Sequence, residues 1–325
     1  MVYDVIIVGG SYAGISAGLQ VARARRKVLV IDGGQRRNRF ANHSHGFLGQ
    51  DGRDPAMIAN DARAQLLVYP TVEWVSQLAV RAVSQGDEFE ITTADGQSFA
   101  GLRLILATGV VDELPDIPGL AQRWGKTVFH CPYCHGYELN GGPIGVLATG
   151  PLAIHHALML PDWGPTTLFL NGAFEPDAEQ LASLKRRGVA VEREPVMSLD
   201  GHADVRLSSG RMIQLAGIFT LPHCQMASPL AEQLGCEFEQ GPMGGFIKVD
   251  ALRETSVQGV FACGDAAVAA GNVHCGGRWR AHRRCRSSIA DFSLIASFSQ
   301  ALRPGTPYYP VSLYSQDRRP LDFRL

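Results

Sequence analysis

Short apolar runs that end in glycine alternate along this chain with segments of helical spacing, the pattern of parallel strands joined by crossover helices. Residues 4–9, DVIIVG, form an apolar, β-branched run and predict a buried parallel strand. Residues 11–25, SYAGISAGLQVARAR, place small and apolar side chains at helical spacing, and KVLVID at 27–32 predicts a second strand. A βαβ unit results, with a glycine turn at the end of its first strand. Residues 34–60 are polar and read as an irregular loop over that turn. The stretch 88–109, EFEITTADGQSFAGLRLILATG, predicts a hairpin turning at Asp95-Gly96 and then another buried strand.

Proline and glycine crowd residues 115–119, PDIPG, which suits a crossing between domains. A second βαβ pattern follows in GPIGVLATG (142–150), PLAIHHALML (151–160) and TTLFLNG (166–172), with further strands expected at 189–192 and 216–221. QGPMGG at 240–245 reads as the return crossing, and GVFACGDAA at 259–267 restores the first domain. The expected fold class is therefore α/β with two Rossmann-like domains. The first comprises residues 1–114 and 243–325, and it is interrupted by an inserted, NAD(P)-type domain at 115–242. A length of 325 residues suits two separate cores.

Composition narrows the function classes. Apolar residues make up 46% and charged residues 19%, ordinary for a globular protein, and the net charge of −1 gives no pull toward nucleic acid or an acidic membrane. No apolar run reaches membrane-spanning length. The opening MVYDVIIVGG reads as a strand and not as a signal peptide, so a cytoplasmic protein is expected. Seven scattered cysteines do not form a secreted disulfide framework. Cys224, Cys236, Cys263, Cys275 and Cys285 read as plain thiols, whereas Cys131 and Cys134 form a CxxC.

Four segments carry candidate chemistry. In Gly9-Gly10-Ser11-Tyr12-Ala13-Gly14 the glycines let the backbone approach a pyrophosphate, and the helix that follows favours its negative charge. Asp32 ends the next strand, where a carboxylate accepts hydrogen bonds from ribose hydroxyls. Ser11 takes the middle glycine position, and the bland alternative is a tight turn in a doubly wound sheet. Ala107-Thr108-Gly109 and Gly264-Asp265 lie at two further strand ends; each is uninformative alone, but in this order they are specific. In His130-Cys131-Pro132-Tyr133-Cys134-His135-Gly136-Tyr137-Glu138, the CxxC spacing permits a reversible disulfide, and a flanking histidine can favour thiolate or move protons. Zinc is the main alternative, but a structural site needs a further Cys or His pair and no second CxxC exists, so no metal is expected. His130 is equally well read as simple packing.

With GGSYAG, LILATG, HCPYCHGYE and TSVQGVFACGDAA in place, residues 1–273 resemble the low-molecular-weight thioredoxin reductase family. They resemble more closely the thioredoxin reductase-like flavoproteins with a CxxCHGYE motif, a group that includes the dithiol oxidases of epidithiodiketopiperazine biosynthesis. The resemblance implies FAD along Gly9, Gly10, Ser11, Gly14, Asp32, Ala107, Thr108, Gly109, Gly264 and Asp265. It implies Cys134 facing the flavin and Cys131 exchanging with substrate, which would be a thioredoxin-like protein or a small dithiol or disulfide. A homodimer is also implied. The family places an aspartate after the second cysteine as proton donor and acceptor; here His135 stands there, with a pKa expected nearer neutrality.

Two segments depart from that pattern. Members that use NADPH carry GxGxxA in the second unit and arginines after the next strand, whereas this chain has Ala148-Thr149-Gly150-Pro151-Leu152-Ala153 and then Asn171-Gly172. Without guanidinium forks little prefers a 2′-phosphate, so NAD(P)H use is doubtful. Electrons then come from another donor, or flow from dithiols through flavin to oxygen. Residues 274–325, with nine arginines and three acids, do not continue the family pattern. Permitted codons read one nucleotide later allow TAVGDGAHIAGVAHQSLI, an amphipathic helix, so a frameshift is the preferred explanation of this tail and a basic extension the alternative. A flavin-free remnant or binding protein is the non-enzymatic reading that the altered tail leaves open.

Overall fold

The computed structural model describes residues 1–268. Five parallel strands build the first sheet, in the order Val260–Ala262, Leu104–Leu106, Val5–Val8, Val28–Ile31, Val72–Val75. Its central strands are apolar throughout because both faces are covered. Val5, Ile7, Val28 and Val30 pack against the helix Tyr12–Arg23 and against Leu66 of the helix Pro55–Leu67. Ile6, Val8, Leu29 and Ile31 point the other way, toward Phe89 and Ile91 of a second, four-stranded sheet. That sheet contains the hairpin expected at Asp95-Gly96, with strands Glu88–Thr93 and Ser98–Gly101 antiparallel. Gly96 has φ +86° and Asp95 accepts from the Thr93 hydroxyl at 2.6 Å, the local chemistry of a tight turn.

The inserted domain repeats the plan. Its parallel sheet runs Val128–Phe129, Gly217–Thr220, Ile144–Leu147, Thr166–Phe169, Ala190–Glu192. Ile144, Val146 and Leu168 pack on the helices Ala153–Met159 and Ala178–Arg186, while Leu147, Phe169 and Ile218 face a three-stranded antiparallel sheet through Leu199, Val205 and Leu207. Each fully buried aliphatic or aromatic side chain in these layers contributes on the order of 1.5–3 kcal/mol.

Both passages of the chain between the domains run through one antiparallel ribbon, Val110–Glu113 against His223–Met226. The return therefore lies some twenty residues earlier than the glycine-rich QGPMGG segment expected for it. Leu230, Ala231, Cys236 and Ile247 are buried in the core of the first domain with Ile6 and Leu104, so these residues belong to it and not to the insert. QGPMGG is instead the turn of a hairpin, Phe238–Gly241 with Gly244–Ile247, laid against the ribbon. Gly244 has φ +140°, and a Cβ there would sit 2.1 Å from the Cys224 carbonyl oxygen, which explains the glycine without any crossing. A second correction concerns residues 34–60. Asp54 accepts from the amides of Ala56 (2.6 Å) and Met57 (3.1 Å) and Pro55 takes the first helical position, so a helix starts inside the expected loop.

The boundary has a thermodynamic consequence. Leu230→Ala is expected to cost roughly 2–5 kcal/mol in denaturant unfolding. Hydrogen exchange on this variant should show lost amide protection in Val5–Val8 and Leu104–Leu106 while Ile144–Leu147 keeps its protection; the reverse pattern would return Leu230 to the insert.

Candidate active site

The first glycine turn is packed so closely that side chains are excluded from it. A Cβ on Gly14 would lie 1.8 Å from the Gly9 carbonyl oxygen, one on Gly9 2.2 Å from the Ala107 carbonyl oxygen, and one on Gly10 2.4 Å from the Trp74 ring. Gly9 also has φ +104°. The Gly9 amide donates to Ile31 (2.8 Å) and the Gly10 amide to the Asp32 carboxylate (3.0 Å), which ties the turn to the end of the neighbouring strand. Ser11 caps the twelve-residue helix with extended backbone and makes no side-chain capping bond, leaving first-turn amides for a ligand. Gly264, at φ +68°, closes on the same helix start, since a Cβ there would lie 2.8 Å from that of Ala13. The fold thus gathers Gly9, Gly10, Ser11, Gly14, Asp32, Ala107 and Gly264 at one sheet end, with Thr108, Gly109 and Asp265 adjoining in sequence. A bare backbone, a helix N-terminus and a strand-end carboxylate suit the pyrophosphate and ribose of a dinucleotide such as FAD.

The CxxC forms a single helical turn, Pro132–His135, with Cys131 as its N-cap. The Cys134 thiol donates to the Cys131 sulfur at 2.8 Å. That contact, helped by the amides of Cys134 and Tyr133, holds the Cys131 thiol below its ordinary value against the opposing effect of burial. His135 stacks on Phe129, centroids 4.2 Å apart and planes at 16°. The near-neutral pKa expected for His135 is not found: desolvation pushes it down to about 4, so the imidazole is neutral at pH 7. His130 is likewise pushed down to about 4, first by desolvation and then by the Arg37 charge. Behind them His156, from the helix Ala153–Met159, is buried and driven to about 3, again by desolvation first.

The redox turn faces the first domain. His45 Nδ1 lies 3.5 Å from Glu138 Oε1 across the domain boundary. His130 is within electrostatic reach of Arg37, Asp112 and Asp265. Arg37 bonds Asp112 through Nε (3.0 Å) and Nη2 (2.5 Å) and Asp265 through Nη1 (3.0 Å). Sequence inspection missed this cluster and His156. Arg37 and Asp112 are 75 residues apart and Arg37 and Asp265 228 apart, with no local pattern linking them. The capping pair Asp54-Pro55, by contrast, was a readable signal for the missed helix.

The second glycine unit differs in kind from the first. A Cβ at Gly150 would meet nothing within 4 Å, so unlike Gly9 and Gly14 it is not held against neighbouring backbone. Leu152 precedes a helix of only seven residues. Asn171 Oδ1 is occupied by the Val196 amide (2.9 Å). The nearby arginines are engaged, Arg193 with Glu175 (2.7 Å) and Arg211 with Glu192 and Glu194. No cluster of three or more potential metal ligands occurs among the described residues. Among them, too, no helix is long and apolar enough to cross a membrane. Cys275, Cys285 and the altered tail lie outside the described residues.

The sequence profile described as pyridine nucleotide-disulphide oxidoreductase matches residues 3–286. The thioredoxin reductase tcpT of Claviceps purpurea is 35% identical over 288 residues, spanning 84% of this chain and 89% of its own. An oxidoreductase from Agrobacterium tumefaciens superposes with a TM-score of 0.83 at 51% identity, covering 93% of this chain and 97% of that one. A putative thioredoxin reductase, TrxB, from Bacillus anthracis gives 0.76 at 29% identity, covering 82% and 90%.

The contrast between the two glycine units is directly measurable. Gly14→Ala should abolish flavin retention on purification, whereas Gly150→Ala should leave both flavin content and melting temperature as in wild type. For the thiols, iodoacetamide alkylation of Cys131 in the reduced protein should begin at lower pH than for a free cysteine, because its thiolate forms earlier. Cys134→Ala removes the donor and should shift that profile to higher pH; an unshifted profile would mean the neighbouring thiol does not stabilise the thiolate.

Proposed function

This chain belongs to the pyridine nucleotide-disulphide oxidoreductase family, and on that footing we propose that Cys131 and Cys134 are its redox couple and that Gly9, Gly10, Ser11, Gly14, Asp32, Ala107, Thr108, Gly109, Gly264 and Asp265 hold its FAD. The chain is an enzyme, a flavoprotein thiol-disulfide oxidoreductase of the thioredoxin reductase type. The observation that carries the reading is the placement of the paired thiols. They sit 2.8 Å apart on a turn flanked by Glu138, which lies 3.5 Å from His45 of the first domain, and by His130, which is within electrostatic reach of Arg37 and Asp265.

Bound FAD supplies a two-electron store that exchanges with a dithiol. The Cys131 thiolate attacks a substrate disulfide, one sulfur of which leaves as thiolate, and a mixed disulfide forms. Cys134, having lost its proton, then attacks Cys131, closing the intramolecular disulfide and releasing the substrate as a dithiol. His135, the residue after Cys134, is neutral at pH 7, and with desolvation holding its pKa at about 4 it can carry that proton only transiently before passing it on. Run backward, the same steps oxidise a dithiol and leave the cysteine pair reduced. Tyr133 and Tyr137 stand exposed beside the pair, and Trp163 packs edge-on to Tyr133 at 5.4 Å, an aromatic rim for the incoming substrate. That substrate is a thioredoxin-like protein or a small dithiol or disulfide. The protein is cytoplasmic and dimeric in this reading.

A second direction is favoured by one feature: after the second glycine unit the nearby arginines are not free for a 2′-phosphate, since Arg193 and Arg211 are taken by glutamates, and Asn171 is taken by the Val196 amide. It supports an oxygen-dependent dithiol oxidase, in which NAD(P)H is not the donor and oxygen takes the electrons as peroxide. Anaerobic mixing separates the two. Bleaching of the flavin band within seconds of adding NADPH supports the reductase direction. No bleaching with NADPH, but bleaching with dithiothreitol followed by oxygen uptake, supports the oxidase. A colourless protein that takes up no FAD overturns both. Cys131→Ser should lose turnover by at least about a hundredfold in either direction while retaining the flavin spectrum.

A further inference from the structure

Arg37 belongs to none of the motifs, yet one guanidinium bridges two carboxylates from two different parts of the fold. Asp112 comes from the interdomain ribbon and its side chain is 8% exposed. Asp265 follows the strand-end glycine Gly264 beside the dinucleotide cradle. The arginine forks onto Asp112 with Nε at 3.0 Å and Nη2 at 2.5 Å and reaches Asp265 with Nη1 at 3.0 Å. Its Nη2 also contacts the buried Cys224 sulfur at 3.4 Å, on the opposite strand of the ribbon. A guanidinium is charged at every relevant pH and offers planar donors in fixed directions, so it can pin two carboxylates at once as a lysine cannot.

Removing that cation would leave two carboxylates facing one another with little solvent, and they would be driven apart. Asp112 is held in the ribbon ladder, paired with Cys224. Asp265 sits in a short 3₁₀ turn, and its side chain is the more exposed of the two, 25% against 8% for Asp112. We propose that Arg37 is a positioning residue for the cofactor: as the shared counter-cation of Asp112 and Asp265, it keeps the Asp265 carboxylate aimed at the dinucleotide. The proposal rests on the assignment of Asp265 to FAD. Because Asp112 is part of the ribbon through which the chain passes between domains, the same cation links the cofactor carboxylate to the domain connection. A mere strap on the loop around residue 37 would use the same bonds, but it would not depend on the charge of Asp112.

Charge compensation distinguishes the two. Apoproteins of wild type, Arg37→Gln, Asp112→Asn and the double variant would be titrated with FAD, following quenching of flavin fluorescence, with no turnover involved. Arg37→Gln should weaken FAD binding by about tenfold or more, equivalent to about 1.4 kcal/mol. Adding Asp112→Asn to it removes the repulsion and should restore most of that loss, even where Arg37→Gln alone is poorly folded. The proposal is overturned if Arg37→Gln binds FAD as wild type does, or if the double variant binds no better than the single. Wild-type apoprotein that takes up no FAD would instead overturn the cofactor assignment on which the proposal stands.

Discussion

The carbonyl oxygen of Gly9 occupies the place that a side chain on Gly14 would need, 1.8 Å from its Cβ position. That steric constraint brings the first helix hard against the strand end and leaves backbone amides facing outward. Ala107 and Gly264 close on the same point from two other strands. An anion-binding cradle follows from the packing without any charged side chain being required to build it. The second unit shows what happens when the constraint is relaxed. Around Gly150 there is space and the helix that follows is short, so no close backbone packing fixes that turn.

Electrostatics around the thiols rests on desolvation more than on charge. His130, His135 and His156 are all pushed well below the ordinary imidazole range, and burial is the first cause for each. The imidazoles around Cys131 and Cys134 are therefore neutral at pH 7 and not imidazolium cations. Stabilisation of the Cys131 thiolate comes from the Cys134 thiol and from two backbone amides. A thiolate held by neutral donors stays nucleophilic while the charge around it changes little during exchange.

Much of the fold could be read directly from local pattern. DVIIVG, KVLVI and RLIL are buried parallel strands because apolar, β-branched runs bounded by glycine have few other stable arrangements. The turn at Asp95-Gly96 was equally legible. What misled was local ambiguity. Glycine and proline in QGPMGG mark a turn, but cannot say whether the turn is a hairpin or a passage between domains. The polar stretch before residue 54 reads on through a helix start that Asp54-Pro55 announces.

The candidate site divides in the same way. Residue type and spacing alone identified the glycine turn, the strand-end Asp32 and the CxxC, because their chemistry depends on neighbours close in the chain. Only the tertiary structure decided that His135 is desolvated against Phe129 and that Arg37 joins Asp112 to Asp265. The folded arrangement likewise placed the return crossing at 223–226. Burial and long-range ion pairing depend on which segments meet, and meetings between residues 75 and 228 positions apart leave no trace in local sequence.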